Sequence, residues 1–253
     1  MSTLLLKLAG PMQSWGDSSR FTVRQTRHEP TKSGVIGLLA AAQGRRRSDP
    51  IEDLVAVRFG VRIDQAGHLQ RDFQTAHHQS GKSMPLSNRY YLADAIFLVG
   101  IETDPGLIET LESALRQPAF PLYLGRRSCP PGSPLVVGVQ PDLGLSASLR
   151  SAPWQAADWH KRMLSSSSHL YLEMIRDRLP DDPPGLSGEL VRDLPISYSP
   201  ESRNYGWRTV VREAEIEVVN DLHRPPLEVD SLGDTHDPFT ALEDTSCSSP
   251  VLP

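Results

Sequence analysis

Leu6-Lys7-Leu8-Ala9-Gly10-Pro11-Met12-Gln13-Ser14-Trp15-Gly16 and, one loop later, Pro30-Thr31-Lys32-Ser33-Gly34-Val35-Ile36-Gly37-Leu38-Leu39 decide how the N-terminal part of this chain folds. Thr3 to Ala9 reads as a buried strand of nearly continuous apolar residues. Ser33 to Gln43 reads as a helix. Thr31 or Ser33 supplies its N-cap, Val35, Ile36, Leu38 and Leu39 its buried residues, and Gly44 its stop. The stretch between carries Arg20, Arg24, Arg27 and Lys32, so cations and the unpaired amides of a helix N-terminus converge on one anion. Phosphate suits that pattern, and nucleic acid is the class of ligand it points to.

Residues 55–63 alternate, with Val55, Val57, Phe59, Val61 and Ile63 on one face and Arg58 and Arg62 on the other. That is the period of a half-buried strand with a basic outer face. Ile96 to Ile101 predicts another strand. Asp104-Pro105 is an N-cap followed by proline at the first helical position, and Leu107, Ile108, Leu111 and Leu115 keep helical spacing until Pro118. After a Gly/Arg/Pro-rich loop at 125–134, Leu135 to Val139 supplies a fourth strand. The order β-α-β-β-α-β predicts an α+β, ferredoxin-like (RRM-like) domain over 1–145, with two helices on one face of a four-stranded antiparallel sheet. RNA-recognition modules commonly use that unit, although topology alone establishes no function.

The connection before the first helix and the one between the second and third strands are long for this unit, and such connections tend to be functional or disordered. The second, 65–94, holds strand-compatible arms from Gln70 to Gln79 and from Leu86 to Leu92 around Ser80-Gly81-Lys82-Ser83. It predicts a protruding β-ribbon thumb. Residues 146–225 predict a smaller C-terminal β-containing region. In it, Trp154, Trp159 and the periodic stretch Leu164 to Leu179 read as packed structure with a short helix, and Arg208 to Val219 alternate as a strand. Residues 226–253 are acidic, rich in Ser and Pro and without periodicity, the composition of a disordered tail.

The net charge of −5 conceals an asymmetry. Residues 1–212 carry 25 Lys and Arg against 21 Asp and Glu, whereas 213–253 carry Arg224 against ten acids. Of the 26 basic residues 22 are arginine, whose planar fork suits bidentate phosphate contacts. Cys129 and Cys247 support neither a disulfide framework nor a cysteine-based zinc site. With no secretory signal and no run approaching about 18 apolar residues, a cytoplasmic protein with no membrane partner is expected.

Lys32-Ser33 is either an anion site at a helix start or an ordinary capped helix with an exposed lysine. Gly125-Arg126-Arg127 is either a loop whose glycine admits a ligand and whose arginines grip it, or a surface turn with solvated charges. Arg45-Arg46-Arg47 complements the negative end of a helix whatever the protein does. Trp15, Tyr90 and Tyr91 are stacking candidates that packing explains equally well.

Catalytic signals are sparse. Gly81-Lys82-Ser83 lacks the earlier glycine of an NTPase phosphate loop, because Ala76 stands there. His77-His78 lacks the spacing of a zinc pair, and no G-x-S-x-G elbow exists. His77, His78, Lys82 and Tyr90 form the one set that could serve metal-free RNA cleavage. No catalytic residue, metal ligand or cofactor is assigned.

Leu8-Ala9-Gly10-Pro11-Met12-Gln13, Pro30-Thr31-Lys32-Ser33-Gly34 and Tyr123-Leu124-Gly125-Arg126-Arg127-Ser128-Cys129-Pro130 closely resemble the CasD family, subunits of the subtype I-E CRISPR complex Cascade within the RAMP superfamily. The likeness is strongest over 4–44 and 118–136 and recognisable over 193–212. It implies a non-catalytic subunit that binds the 5′ handle of the CRISPR RNA and caps one end of an antiviral ribonucleoprotein. Its implied neighbours are the backbone subunits and the large PAM-reading subunit, with target DNA met only indirectly. The implied RNA-binding residues are Gln13, Ser14, Trp15, Arg20, Arg24, Arg27, Lys32, Ser33, Gly125, Arg126 and Arg127. Phe73, His77, His78, Asn88, Arg89 and Tyr90 are implied thumb residues that meet the neighbouring subunit and the first guide nucleotides. The alternative is a repeat-specific, metal-free endoribonuclease like the related subtype I-C subunit, and a purely protein-binding partner is a third reading. The acidic tail departs from the family pattern.

Overall fold

The computed structural model describes residues 1–16, 19, 20, 22–81 and 83–225, with Ser19 and Arg20 described by their backbone alone. Lys82, the Arg20 side chain and the predicted tail 226–253 lie outside the described residues.

β1 (Ser2–Ala9) leads through β2 (Met12–Gln13), β3 (Ser19–Arg20) and β4 (Val23–Arg24) into α1 (Lys32–Ala42). Next come α2 (Glu52–Val55), β5 (Arg58–Gln65), β6 (His68–Gln74), β7 (Ser87–Ala93), β8 (Ile96–Thr103), α3 (Pro105–Arg116) and β9 (Val136–Gln140). The C-terminal part adds α4 (Leu145–Ser151), α5 (Asp158–Met163), β10 (His169–Asp177), β11 (Glu189–Ser197) and β12 (Asn204–Val219). The fold is mixed α/β and dominated by antiparallel sheet. Seven strands run β11-β12-β10-β5-β8-β1-β9, and every pairing among them is antiparallel. Strands from 146–225 therefore extend the N-terminal sheet along the free edge of β5.

β1 is apolar throughout because both of its faces are covered. Leu4, Leu6 and Leu8 pack with Val35, Ile36 and Leu39 of α1 and Ile108, Leu111 and Leu115 of α3. Leu5 points the other way, into Leu98, Leu145, Leu149 and Trp154. Each such side chain contributes about 1.5–3 kcal/mol by leaving water. α4 and the segment after it thus roof the sheet face that an RNA-recognition module would leave open for bases.

The predicted basic outer face of residues 55–63 is corrected by the same roof. Glu52–Val55 is a helical turn, and Arg62 is fully buried under α4. Its guanidinium pairs with Asp64 at 2.7 and 2.8 Å and donates to the carbonyls of Leu149, Ala152 and Pro153 at 2.7 to 2.8 Å. All five of its donors are used. Residues 164–179 are likewise corrected, since β10 occupies most of the stretch expected to hold a short helix, and the helices α4 and α5 precede it.

The ends of α1 and α3 follow from their caps. Thr31 accepts from the Gly34 amide at 3.2 Å, and Asp104 accepts from the Leu107 amide at 3.0 Å with Pro105 beginning the helix. β6 and β7 form a hairpin in register from His68↔Ala93 to Gln74↔Ser87. β2 pairs antiparallel and β4 parallel along the other edge of β7, so the hairpin is anchored at its base in a second, smaller sheet.

Candidate nucleic-acid interface

Gly10-Pro11 ends β1 and turns the chain into a loop that is tied down almost atom by atom. The Gln13 amide donates to the Leu8 and Ala95 carbonyls at 2.9 and 2.8 Å and accepts from the Trp15 indole at 3.1 Å. Trp15 is buried against α1, where a Cβ on Gly34 would stand 2.8 Å from the indole. The Ser14 hydroxyl donates to the Tyr90 carbonyl at 3.2 Å, and its amide to the Leu124 carbonyl at 3.1 Å. Gly125 has φ +87, and a Cβ there would sit 1.8 Å from the Ser14 carbonyl oxygen. The glycine of the Gly125-Arg126-Arg127 loop is thus needed for the approach of two backbone segments rather than for that of a ligand.

These contacts fix one wall of a groove of about 760 Å³. Its floor is the side of α1 where small residues, Gly34, Gly37, Ala40 and Ala41, leave room. Around it stand Arg24, Arg45, Arg46, Arg47, Arg126 and Arg203, together with Tyr123, Tyr198 and Tyr205. Among the described residues that line it there is no Asp or Glu. Arg45 is oriented by a two-pronged pair with Asp53, which holds that carboxyl below its ordinary range. Arg46, Arg47 and Arg203 are exposed and make no ion pair with described residues. Arg24 and Arg89 are register partners across β4 and β7, and Arg89 Nε is buried without a hydrogen-bond partner. Like charges placed side by side are unfavourable until an anion offsets them.

Lys32 requires correction. Its ammonium points inward, donating to the Val57 carbonyl at 2.7 Å and pairing with Asp177 at 2.9 Å. Arg208 bridges Asp177 and Asp193 at 2.6 Å each, and Asp193 accepts from the Lys32 backbone amide at 2.7 Å. The anion at the start of α1 is therefore the chain's own Asp193, and the Lys32 and Gly34 amides are already engaged, by Asp193 and Thr31. Lys32 fastens α1 to β10, β11 and β12. Ser33 is buried on the groove side and its carbonyl accepts from the Tyr198 hydroxyl. Burial pushes the Tyr198 phenol well above its usual range, so it stays protonated to make that bond.

The other sequence-predicted residues divide. Gln13, Ser14 and Trp15 are buried and act as scaffold, with Ser14 and Trp15 also lining the groove. Arg27 pairs with Glu29 at 2.8 Å and lies outside the groove lining. Arg126 lies over the Tyr91 ring and donates to the Tyr90 and Arg24 carbonyls, leaving part of its fork turned to the groove. Arg127 is exposed next to it. On the hairpin, Phe73 is 63% exposed and His77 and His78 are exposed near the tip, whereas Asn88, Arg89 and Tyr90 on β7 are half-buried, the first two where β4 pairs with that strand.

Tyr198, Arg203 and Tyr205 were not singled out from the sequence. They sit on and beside the turn between β11 and β12, more than 150 residues from α1 in the chain, and join the groove only because those strands extend the sheet. Tyr198 and Tyr205 meet edge to face with ring centres 6.5 Å apart.

A sequence model of the family described as "CRISPR-associated protein (Cas_Cas5)" matches residues 3–211. The Escherichia coli (strain K12) protein named "CRISPR system Cascade subunit CasD" is 37% identical over 158 residues, 54% of this chain and 70% of that protein. Among solved structures, a chain of a "CRISPR RNA-guided surveillance complex" superposes with a TM-score of 0.69 at 30% identity, covering 89% of this chain and 95% of its own. Another, "Crystal structure of Cas protein", gives 0.64 at 36% identity, covering 88% and 98%. The Gly10 turn, the start of α1 and the Gly125 loop all lie within the matched residues 3–211, and this chain belongs to the CRISPR-associated Cas5 family.

Proposed function

We propose that this chain is the CRISPR RNA-binding subunit of a type I-E Cascade ribonucleoprotein and that the arginine groove on α1 holds the 5′ handle of the guide. The observation that carries the reading is the groove itself, with six arginines, three tyrosines and no carboxylate among its described lining residues. Guanidinium groups without protein partners suit phosphates, and tyrosines in a concave basic wall suit unpaired bases. The kinship with a Cascade subunit supports the same partners: CRISPR RNA, the backbone subunits and the large PAM-reading subunit, with target DNA met indirectly. That role belongs in the cytoplasm. No helix among the described residues is long and apolar enough to cross a membrane.

The finer fold belongs to the same reading. The run β5-β8-β1-β9, with α1 and α3 on one face, supports a ferredoxin-like unit over 1–145. The β6–β7 hairpin within 65–94 serves as the thumb, and Phe73, His77 and His78 are its outward residues. Residues 146–225 form a C-terminal region that continues the sheet.

Salt titration tests the groove. Removing one cation that neutralises a phosphate of a single strand lowers the slope of log affinity against log salt by about 0.7. Alanine at Arg46, Arg47 or Arg203 is expected to produce that drop with any spacer sequence. Alanine at Lys32 is expected to lower the thermal midpoint and leave the slope unchanged. Unchanged slopes in all three arginine variants count against the groove.

The subunit is a binder rather than a nuclease. His77 pairs with Ser83 and His78 with Ser80 near the tip of the hairpin, with no packed shell to hold a near-attack geometry. Purified protein is expected to leave unprocessed repeat RNA intact, and alanine at His77 or His78 to leave guide maturation unchanged. Single-site cleavage by the protein alone, abolished by either substitution, would promote the endoribonuclease reading.

A further inference from the structure

Three arginines from separate parts of the chain meet where the groove adjoins the hairpin. Arg24 on β4 and Arg89 on β7 are register partners in a parallel pairing, so their side chains rise from the same face of the second sheet. Tyr91, two residues along β7, shares that face, and the Arg126 guanidinium lies over its ring, 4.7 Å from the centre. Arg126 also donates to the Tyr90 carbonyl at 3.1 Å and to the Arg24 carbonyl at 2.9 Å, which places its charge between the two strands. We propose that Arg24, Arg89 and Arg126 form a discrete site for one phosphate group, and that its occupation fastens β4 to β7.

The electrostatics call for an anion. Among the described residues none of the three arginines makes an ion pair, and the Arg89 Nε is buried without a hydrogen-bond partner, a state that buried donors rarely keep. The carboxylate in register with Arg89 is Asp72 on β6, and it accepts from the Gln74 amide at 3.2 Å instead. Three cations against that one acid leave positive charge uncompensated. Arg126 uses three of its five donors on the carbonyls of Tyr90, Arg24 and Gln25 and keeps the rest. Guanidinium forks pair with phosphate oxygens two at a time, and a phosphate group offers enough acceptors for several forks where a carboxylate has only two oxygens.

Position gives the ligand a mechanical effect. β4 is two residues long and meets β7 through the pairs Val23↔Asn88 and Arg24↔Arg89. Like charges opposed in the second pair weaken the junction, and a phosphate between them replaces repulsion with attraction. The Asn88 amide donates to the Thr22 carbonyl at 2.7 Å across this junction and so reports on it. Two sources share the chemistry, inorganic phosphate and a phosphodiester of RNA leaving the groove that Arg24 and Arg126 also line. The RNA source rests on the reading of that groove, whereas the site itself does not.

Hydrogen exchange of the Asn88 amide, followed by NMR in the full chain, tests the site. Inorganic phosphate, raised at constant ionic strength to ten times the dissociation constant read from amide shifts, should slow that exchange about tenfold. In Arg89→Gln the slowing should vanish while the amides of β1 keep their protection, which shows that the variant is folded. An unstructured RNA decamer should also slow the Asn88 amide, and Arg89→Gln should lower the salt slope of decamer binding by about 0.7. Slowing by phosphate but not by the decamer supports the site and assigns it to the free anion. Equal slowing in the wild type and Arg89→Gln, or no slowing with either ligand, overturns the proposal. Failure of the groove reading looks different: unchanged slopes for the Arg46, Arg47 and Arg203 variants beside a lowered slope for Arg89→Gln keep this site and remove the guide from the groove.

Discussion

Replacing Arg62 with leucine is expected to destabilise the fold by about 3–5 kcal/mol, the range for removing one partner from a buried ion pair. Arg62 and Asp64 both have side chains without solvent exposure. The substitution leaves the Asp64 carboxylate unpaired and strips donors from the carbonyls of Leu149, Ala152 and Pro153, three consecutive anchors of the segment that roofs the sheet. Asp64 also holds the Gln155 amide at 2.6 Å, and its carbonyl accepts from the Trp154 indole at 2.8 Å, so the whole turn after α4 loosens with it. At about 2–4 °C per kcal/mol for a domain of this size, the thermal midpoint should fall by about 6–20 °C. Arg116→Ala breaks an exposed pair with Glu112 on α3 and should change stability by less than about 1 kcal/mol. Replacing Arg62 and Asp64 together by apolar residues should recover part of the loss. A midpoint equal to that of the Arg116 variant would show that the buried pair does not hold the roof.

Gly125→Ala is the second large effect. Its new methyl group would lie 1.8 Å from the Ser14 carbonyl oxygen and 2.8 Å from the carbonyl carbon, and neither can swing away as a flexible side chain would. The positive φ adds about 1–2 kcal/mol of its own. Ser14 is anchored to Leu124 and Tyr90, so separating the two segments disturbs Gln13, Trp15 and the wall that carries Arg126. A loss above about 3 kcal/mol is expected, with handle affinity falling alongside. Gly138→Ala in β9, where nothing lies within 4 Å of the added carbon, is the matched control and should be nearly neutral.

Much of the frame was legible because its signals are local. Thr31 and Asp104 cap helices by chemistry confined to three residues, and the apolar run of β1 marks a strand buried on both faces. The groove was legible only in part. Arg126 and the Gly10 turn carry a recognisable pattern, but Arg203, Tyr198 and Tyr205 meet α1 through the sheet, and no local spacing encodes that encounter. Lys32 misleads for a related reason. A lysine at a helix start is drawn to any nearby anion, and here the anion is Asp177, 145 residues away on β10. Arg62 misleads by alternation, because the period that places it opposite Phe59 and Val61 does not reveal that α4 covers its side as well. Arg45-Arg46-Arg47 has an ordinary explanation as helix-terminal charge, yet α1 ends at Ala42 and the three line the groove instead.

Cross-linking of a photoreactive 5′ handle within the purified ribonucleoprotein, with the linked peptides mapped by mass spectrometry, tests the central claim most directly. The groove predicts adducts within 40–47, 121–127 and 198–205, and their loss when Arg46, Arg47 and Arg203 are replaced together by glutamate. Adducts confined to the outer faces of β10 and β12, unaffected by that triple replacement, would contradict it.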